Sequence, residues 1–285
     1  MKVSVMDVLF SWIYFLRGGG IMRIDHTESY KDFGEQFLVD SKIDGYFGSQ
    51  EILNDIIKPF DLRRLKGKTV MEVGCGSGRI LKNLLECEPE KIIAVEPSVA
   101  IEVAKRNNAD TLTKIVFDNI KAEEINRRDE IDFCFSIGVI HHIPNADCAV
   151  KNVFNALKKD GEFVLWVYGY EGNEIYLTVF NNLRRITRLM PDPILRGLCS
   201  ILNMFCSLYI ILVKVFPLPL REYMLNGFQK LSWEKRNYVI FDQLNPTYSK
   251  YYKKEEVESL IKTVGFSIEN IIHRDSYSWT VIAKK

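Results

Sequence analysis

Charge of one sign is what this sequence most lacks. Its 285 residues hold 38 Lys and Arg against 37 Asp and Glu, a formal +1. No chain-wide field therefore draws in a polyanion, although a local basic patch is still open. Cysteines are few and unpaired in pattern: the six, at 75, 87, 134, 148, 199 and 206, form no C-x-x-C. With only four histidines, no metal-ligand spacing arises, which points to free thiols in a reducing cytosol and to no metal site. Nor does any uncharged run reach the about 20 residues that cross a bilayer. What is there, 47% hydrophobic and 26% charged residues, is ordinary globular composition and excludes a disordered or fibrous chain. The length suits one large core, or a core with an appendage.

Two apolar runs come nearest to a membrane signal. Val8 to Leu16 is too short to span and lacks a signal peptide's basic start and cleavage site. It ends in Arg17-Gly18-Gly19-Gly20 before Met22, as an in-frame purine-rich ribosome-binding site would read. Residues 1–21 are accordingly either sequence upstream of a start at Met22 or an N-terminal amphipathic helix. Gly197 to Val213 is 17 residues without a charge, diluted by Ser200, Asn203 and Ser207 and preceded by Arg184, Arg185, Arg188 and Arg196. A buried cap helix fits this composition first. Peripheral membrane contact through 184–219 comes second and a true span last.

The rest of the chain is punctuated by strand and helix patterns. Short β-rich runs at 68–73, 91–96, 113–117, 131–136 and 162–167 alternate with helical patterns at 79–85, 98–105 and 146–158. That rhythm predicts an α/β fold: a Rossmann-like, doubly wound, mostly parallel sheet. A helix at 255–264 is followed by two strands, 266–273 and 277–283, which form an antiparallel C-terminal hairpin. Between them, 171–249 breaks the rhythm with apolar helical segments and five of the nine prolines. The expected organisation is a core of 22–170 and 250–285 with a helical, substrate-covering insertion at 171–249.

The first strand runs into Glu72-Val-Gly74-Cys75-Gly76-Ser-Gly78-Arg79. Glycines at alternate positions turn the chain sharply into a helix and let a ligand approach the backbone. A dinucleotide fingerprint would need a third glycine where Arg79 stands. Glu96 ends the second strand, where a carboxylate can accept both hydroxyls of a ribose. Together these residues resemble the class I S-adenosylmethionine-dependent methyltransferases, over about residues 35–170 and 250–285. The resemblance implies S-adenosyl-L-methionine as cofactor. It places Glu72, Gly74, Cys75, Gly76 and Gly78 by its methionine part, Glu96 and Pro97 by the ribose, and Ala122 and Glu123 by the adenine. Lys121 departs from the family, which often has an Asp before the Ala-Glu pair. The adenine contact must then come from backbone, Asp118 or Asn119, or be missing.

The fourth strand ends in Ser136-Ile-Gly138-Val-Ile-His141-His142-Ile-Pro144. This is similar to the S-x-G-V-L-H-H-x-P signature of small-molecule methyltransferases, such as those of ubiquinone and menaquinone biosynthesis. Ser136 and Gly138 would line the transfer cavity. A histidine with pKa near 6.5 suits a general base, so His141 and His142 are the catalytic candidates. Adjacent residues point apart, and one of them at most reaches substrate; a histidine bracing its loop by a backbone hydrogen bond is the competing role for each. Tyr168, Tyr170 and Tyr248 lie at the junctions of the insertion and are the substrate-side candidates. V-Y-G-x-E-G-N-E and the later F-D-x-L-x-P-x-Y resemble sugar- and natural-product-modifying methyltransferases. Tyr30, Phe33, Phe37 and Tyr46-Phe-Gly48 are expected to close over the cofactor, unless they only pack the core.

The expectation is a cytoplasmic methyltransferase, membrane-associated if the 184–219 segment binds lipid, acting on a small-molecule hydroxyl. The Asn/Asp-Pro-Pro-Tyr/Phe motif of DNA-adenine and protein-amide methylation is missing after the fourth strand. With the near-zero charge, that argues against a nucleic-acid partner. The alternatives are a lipid or quinone-like acceptor, an NAD-dependent oxidoreductase, and a non-catalytic cofactor-binding subunit.

Overall fold

The computed structural model describes residues 29–39, 45–109, 111, 114–187, 190–244 and 248–285. Both expectations for residues 1–21 lie outside them. Nine α-helices are formed among the described residues: α1 (Ser29–Val39), α2 (Gln50–Ile57), α3 (Arg79–Leu85), α4 (Ala100–Asn107), α5 (Ala146–Ala156), α6 (Glu174–Thr187), α7 (Asp192–Val215), α8 (Trp233–Leu244) and α9 (Lys254–Val264). The strands are β1 (Thr69–Val73), β2 (Lys91–Val95), β3 (Lys114–Asp118), β4 (Ile131–Ile137), β5 (Leu157–Tyr168), β6 (Ser267–Arg274) and β7 (Ser278–Lys284).

The strands make one seven-stranded sheet in the order β3-β2-β1-β4-β5-β7-β6. The first five are parallel, and β7 runs antiparallel to both β5 and β6. The sheet is therefore the doubly wound, mostly parallel one expected, with its antiparallel C-terminal pair. The hairpin turn has positive φ at Asp275 (42°) and Ser276 (57°), and Tyr277 N–H donates to the Arg274 carbonyl at 2.9 Å. Two successive left-handed residues match the twist of the flanking strands. One boundary moves: β5 begins at Leu157 instead of after Asp160-Gly161. Leu157 already pairs with Ile131 and Lys158 reaches Asp132 at 3.0 Å, so Asp160 (φ 64°) is an irregularity inside the strand.

Alternating residues divide between two buried layers, because successive strand side chains point to opposite faces. Val70, Phe133, Phe135 and Val164 pack with Leu53, Ile57, Ile80, Leu81 and Leu84 of α2 and α3. Met71, Val73, Cys134, Phe163 and Leu165 pack with Val150, Val153, Val257 and Ile261 of α5 and α9. Both faces are covered, which is why the central strands read as nearly unbroken apolar runs. The strand order reverses between β1 and β4, the crevice where such sheets hold ligands. Gly74 and Gly138 follow those two strands. A Cβ on Gly74 would lie 2.3 Å from Val139 Cγ2, so the two loops meet there.

Helices α6 to α8 enclose a third cluster, with Leu195, Cys199, Ile210 and Val213 of α7 against Ile240, Phe241 and Leu244 of α8. The expectation of a buried helix at 197–213 holds for one face of α7. The opposite face exposes Ile201, Met204, Phe205, Leu208 and Ile211. The polar residues turn inward instead: Asn203 Nδ2 donates to the Trp233 carbonyl at 3.0 Å and to Asn237 Oδ1 at 2.9 Å. By length and composition alone, α7 is the one helix among the described residues that could cross a membrane. Two of the arginines expected to suit a membrane surface are engaged by α8. Arg184 Nε donates to the Gln243 carbonyl at 2.6 Å, and the Arg196 guanidinium lies 4.7 Å from the Phe241 ring centre. Arg188 and the side chain of Arg185 lie outside the described residues.

Phe135 is completely buried at the centre of the sheet, between β1 and β5, and packs edge-on against Phe60. Phe135→Ala is expected to cost about 3–5 kcal/mol through lost transfer energy and the cavity left behind. A urea midpoint, with an unchanged m-value, reads this directly.

Candidate active site

The turn after β1 is shaped by Glu96. Its Oε2 accepts from Gly76 N–H at 3.0 Å, and its Oε1 accepts from Ser98 N–H at 3.0 Å and the Ser98 hydroxyl at 2.6 Å. Burial pushes the Glu96 pKa up, opposed by these three donors. Ser98 also takes the Ala100 N–H at 3.2 Å, just ahead of α4. Gly74 and Gly76 have φ of 77° and 51°, and a Cβ on Gly76 would press on Phe37 at 2.9 Å. Gly78 differs. Its Cβ would meet Asn108 Nδ2 at 2.6 Å and Ala104 Cα at 3.2 Å. It is the contact point of α3 with α4, and it does not line the cavity.

Above this turn lies a cavity of about 480 Å³, within the range of ligand pockets. Glu72, Gly74, Cys75, Gly76, Glu96, Pro97, Ala122, Glu123 and Gly138 all line it. Glu72 is buried, its Oε2 has no hydrogen-bond partner, and desolvation pushes its pKa up to about 8. An orphaned carboxylate in a cavity suits a cationic ligand. Burial also pushes the Cys75 thiol well up, so it serves as inert wall. Ser136 is withdrawn: its hydroxyl donates to the Val73 carbonyl at 3.4 Å and ties β4 to β1. Asp118 is held by Arg127 at 2.6 Å and Asn119 donates to the Glu96 carbonyl at 2.7 Å. For an adenine that leaves the backbone at 121–123, where Asn152 Nδ2 pins the turn through the Glu123 carbonyl at 2.7 Å. Lys121 does reach the cavity wall, its Nζ 5.2 Å from the Tyr30 ring centre.

The histidines separate. His141 is fully buried between His142 and Tyr168, with ring centres 4.2 and 3.9 Å away. It does not line the cavity. His142 does, and its Nδ1 lies 2.8 Å from the Tyr248 carbonyl. A carbonyl only accepts, so Nδ1 carries the proton and Nε2 the lone pair. Burial lowers the His142 pKa to about 4, leaving a neutral and weakly basic ring. Of the substrate candidates, Tyr168 lines the cavity and Tyr170 is exposed under Lys253, 5.2 Å from its ring centre. Tyr248 contributes the carbonyl that orients His142, and its side chain does not line the cavity.

Several residues were not foreseen. Arg79, noted only as breaking a dinucleotide motif, lies in the cavity wall with its guanidinium 4.6 Å from the Phe47 ring centre. From residues 171–249 come Tyr176, Tyr223, Asp242 and Gln243. Gln243 Nε2 donates to Tyr168 Oη at 2.8 Å, while its Oε1 accepts from Tyr176 Oη at 2.7 Å and Tyr251 Oη at 3.0 Å. The F-D-x-L pattern was the available signal for Asp242 and Gln243, but it assigned them no role. Tyr30, Phe33, Phe37, Tyr46 and Phe47 line the same cavity, and Gly48 does not.

Residues 64–173 match the methyltransferase-domain family. The match takes in less than half of the chain, and these residues resemble a methyltransferase domain. The sheet is the class I S-adenosylmethionine-dependent methyltransferase fold, and S-adenosylmethionine is the cofactor. An S-adenosylmethionine-dependent methyltransferase from Methanosarcina mazei superposes with a TM-score of 0.51 at 15% identity, over 82% of this chain and 96% of that one. A 4+2 cyclase, SpnF, superposes with a TM-score of 0.52 at 11% identity, over 85% and 84% of the two chains. Such identities show the fold alone, since one fold hosts many chemistries. The tRNA U34 carboxymethyltransferase of Sulfurovum sp. (strain NBC37-1) is 30% identical over 160 residues, 55% of this chain and 52% of the relative. That of Helicobacter pylori (strain Shi470) is 31% identical over 129 residues, 44% and 48% of the two. The chain spans about half the length of the curated relatives it matches.

These relatives are named for a tRNA acceptor, which overturns the expectation of a small-molecule acceptor with no nucleic-acid partner. That expectation rested on net charge, a sum over the whole chain. Recognition of a single base depends on a local pocket and need not move the total.

Replacing Glu96 with Ala removes the acceptor that holds Gly76 and any ligand hydroxyl beside it. Glu96→Ala is expected to weaken binding of S-adenosylhomocysteine by about 1–3 kcal/mol. Titration calorimetry measures it, and an unchanged affinity would place the cofactor's ribose elsewhere.

Proposed function

We propose that this chain is an S-adenosylmethionine-dependent methyltransferase acting on a hydroxyl oxygen of a uridine in tRNA. Residues 171–249 serve as the cap that admits the base. The observation that carries this reading is the aromatic chamber beyond the glycine turn, where Trp166, Tyr168, Tyr176, Tyr223, Tyr251 and Tyr277 line one continuous space with the cofactor wall. RNA is read mainly by splaying single-stranded bases onto aromatic rings and hydrogen-bonding their edges. The Tyr168 and Tyr251 rings are stacked, 5.1 Å apart at 25°, and Gln243 fixes both. The tRNA acceptor of the relatives in name supports the same class.

When bound, S-adenosylmethionine supplies a methyl group on a sulfonium, with a neutral thioether as leaving group. The chain has to hold that cation, align the acceptor and exclude water. Glu72 would hold the positive end and Arg79 the carboxylate of the methionine part, one opposite charge for each. Glu96 would take the ribose hydroxyls through the acceptor capacity left beside its three internal donors. Gly138, with φ of 80°, lines the cavity at the end of β4, where backbone without a Cβ would let the reacting atoms approach. Phe33, Phe37 and Phe47 keep water out. His142, neutral and fixed through Nδ1, offers Nε2 as an acceptor that positions the acceptor group.

Incubating the protein with methyl-labelled S-adenosylmethionine and a cell extract, then separating RNA from small molecules, tests this reading. Label is expected in a uridine nucleoside released by digesting the tRNA fraction, its mass distinguishing a methyl from a carboxymethyl group. Label confined to the RNA-free fraction would refute the reading.

A further inference from the structure

A hydroxyl acceptor needs somewhere to leave its proton, and neither histidine provides it. His141 is walled off by Tyr168, and His142 has its pKa lowered to about 4 by burial. Glu72 sits on the cofactor side, where a cation would hold it ionised. Glu96 and Glu123 line that side as well, and the fourth carboxyl group of the lining, Asp242 in the last turn of α8, opens on the chamber from residues 171–249. It is surrounded by protein, yet part of its surface faces the cavity. Its neighbour Gln243 is fixed by three tyrosines, which anchors this stretch of helix against the acceptor wall.

Building on the function proposed above, we infer that Asp242 is the general base of the transfer. Its carboxylate takes the proton of the acceptor hydroxyl as the oxygen bonds the methyl carbon. The carbon–sulfur bond breaks with its electron pair passing to sulfur. The proton then leaves Asp242 for solvent when the products depart, so atoms and charge balance without a further reactant.

The charged and titratable groups around Asp242 set when it can act. Arg79 on α3 and Arg184 on α6 favour its ionised form, and Gln36 approaches it from α1. Tyr168, Tyr223 and Tyr251 face it as neutral phenols whose own pKa values burial and this carboxyl push up. Desolvation outweighs the two arginines and raises the Asp242 pKa to about 7. A base whose pKa lies near the working pH combines a useful ionised fraction with real proton affinity. The two arginines also explain why a carboxylate can persist in so apolar a chamber.

The same labelled extract assay, run on the wild type and on Asp242→Asn, tests this, because it follows label into whichever fraction accepts it. The variant is expected to lower kcat at least ~100-fold while binding S-adenosylhomocysteine as the wild type does. With S-adenosylmethionine saturating, so that Glu72 is already ionised, wild-type kcat/KM for the acceptor should rise with pH to a plateau above about 7, since the base must be ionised. The residual activity of Asp242→Asn should lack that limb. Undiminished turnover in Asp242→Asn, or a surviving limb, overturns the role whatever the acceptor. Label in small molecules together with a dead variant would refute the tRNA reading and keep the base. A carboxyl ¹³C titration of the wild-type protein guards against a variant that fails to fold. A resonance from Asp242 titrating near neutrality is expected, and one ionised at ordinary carboxylate pH would contradict the inference.

Discussion

Three donors converge on one buried carboxylate, and the site is arranged around that convergence. Glu96 closes β2 onto the turn after β1 through Gly76, and onto the start of α4 through Ser98. Without that anchor the turn would have no reason to hold Gly74 and Gly76 in left-handed backbone, a conformation glycine adopts freely. With it, the turn presents its backbone at the point where strand order reverses, and the loop after β4 packs directly against it. Charged side chains are then left facing the cavity: Glu72 from the strand and Arg79 from the helix.

The chamber has two walls of different character. On the sheet side are backbone, carboxylates and small residues, suited to a ligand that carries charge at one end and hydroxyls at the other. On the cap side are rings tied together through one amide. Tyr168, Tyr176 and Tyr251 meet on Gln243, and Arg184 closes the ring by donating to the Tyr251 hydroxyl at 3.1 Å. Buried polar groups are costly unless satisfied. A satisfied network of this kind fixes the shape of the acceptor wall, and Asp242 is carried on the same turn of helix.

Legibility in the sequence followed locality. Glu72, Gly74 and Gly76 lie within one turn and Glu96 follows the next strand, so the cluster could be picked out by spacing, while the roles given to its members came from the resemblance. The strand and helix rhythm, including the C-terminal hairpin, was equally local. Gly78 belonged to the same motif by spacing, but its role comes from Asn108 and Ala104, about thirty residues on, on a packed neighbouring helix. Burial of His141 depends on Tyr168 packing against it, a contact that no local pattern encodes. Asp242 and Gln243 sit within a helix of unremarkable composition, and only the folding of the cap over the sheet brings them to the site. The polar residues of α7 also misled by their locality. Asn203 reads as dilution of an apolar run, whereas it is the internal tie between α7 and α8. The acceptor class was least legible, because net charge averages over surfaces that never meet it.

The central claim is that the cavity over the glycine turn takes a positively charged donor beside Glu72. In the free protein desolvation raises the pKa of this group from 4.5 to about 8, so at pH 7 it is largely protonated. Its contribution to folded stability is present below the unfolded pKa and fades as pH rises through the folded one. A cation bound alongside would lower that pKa and expel the proton. Calorimetric titration with S-adenosylmethionine at pH 7, in buffers of different ionisation enthalpy, counts the protons exchanged. The account predicts a release approaching ~1 proton per site that disappears in Glu72→Gln. No release by the wild type, or the same release by the variant, would contradict it.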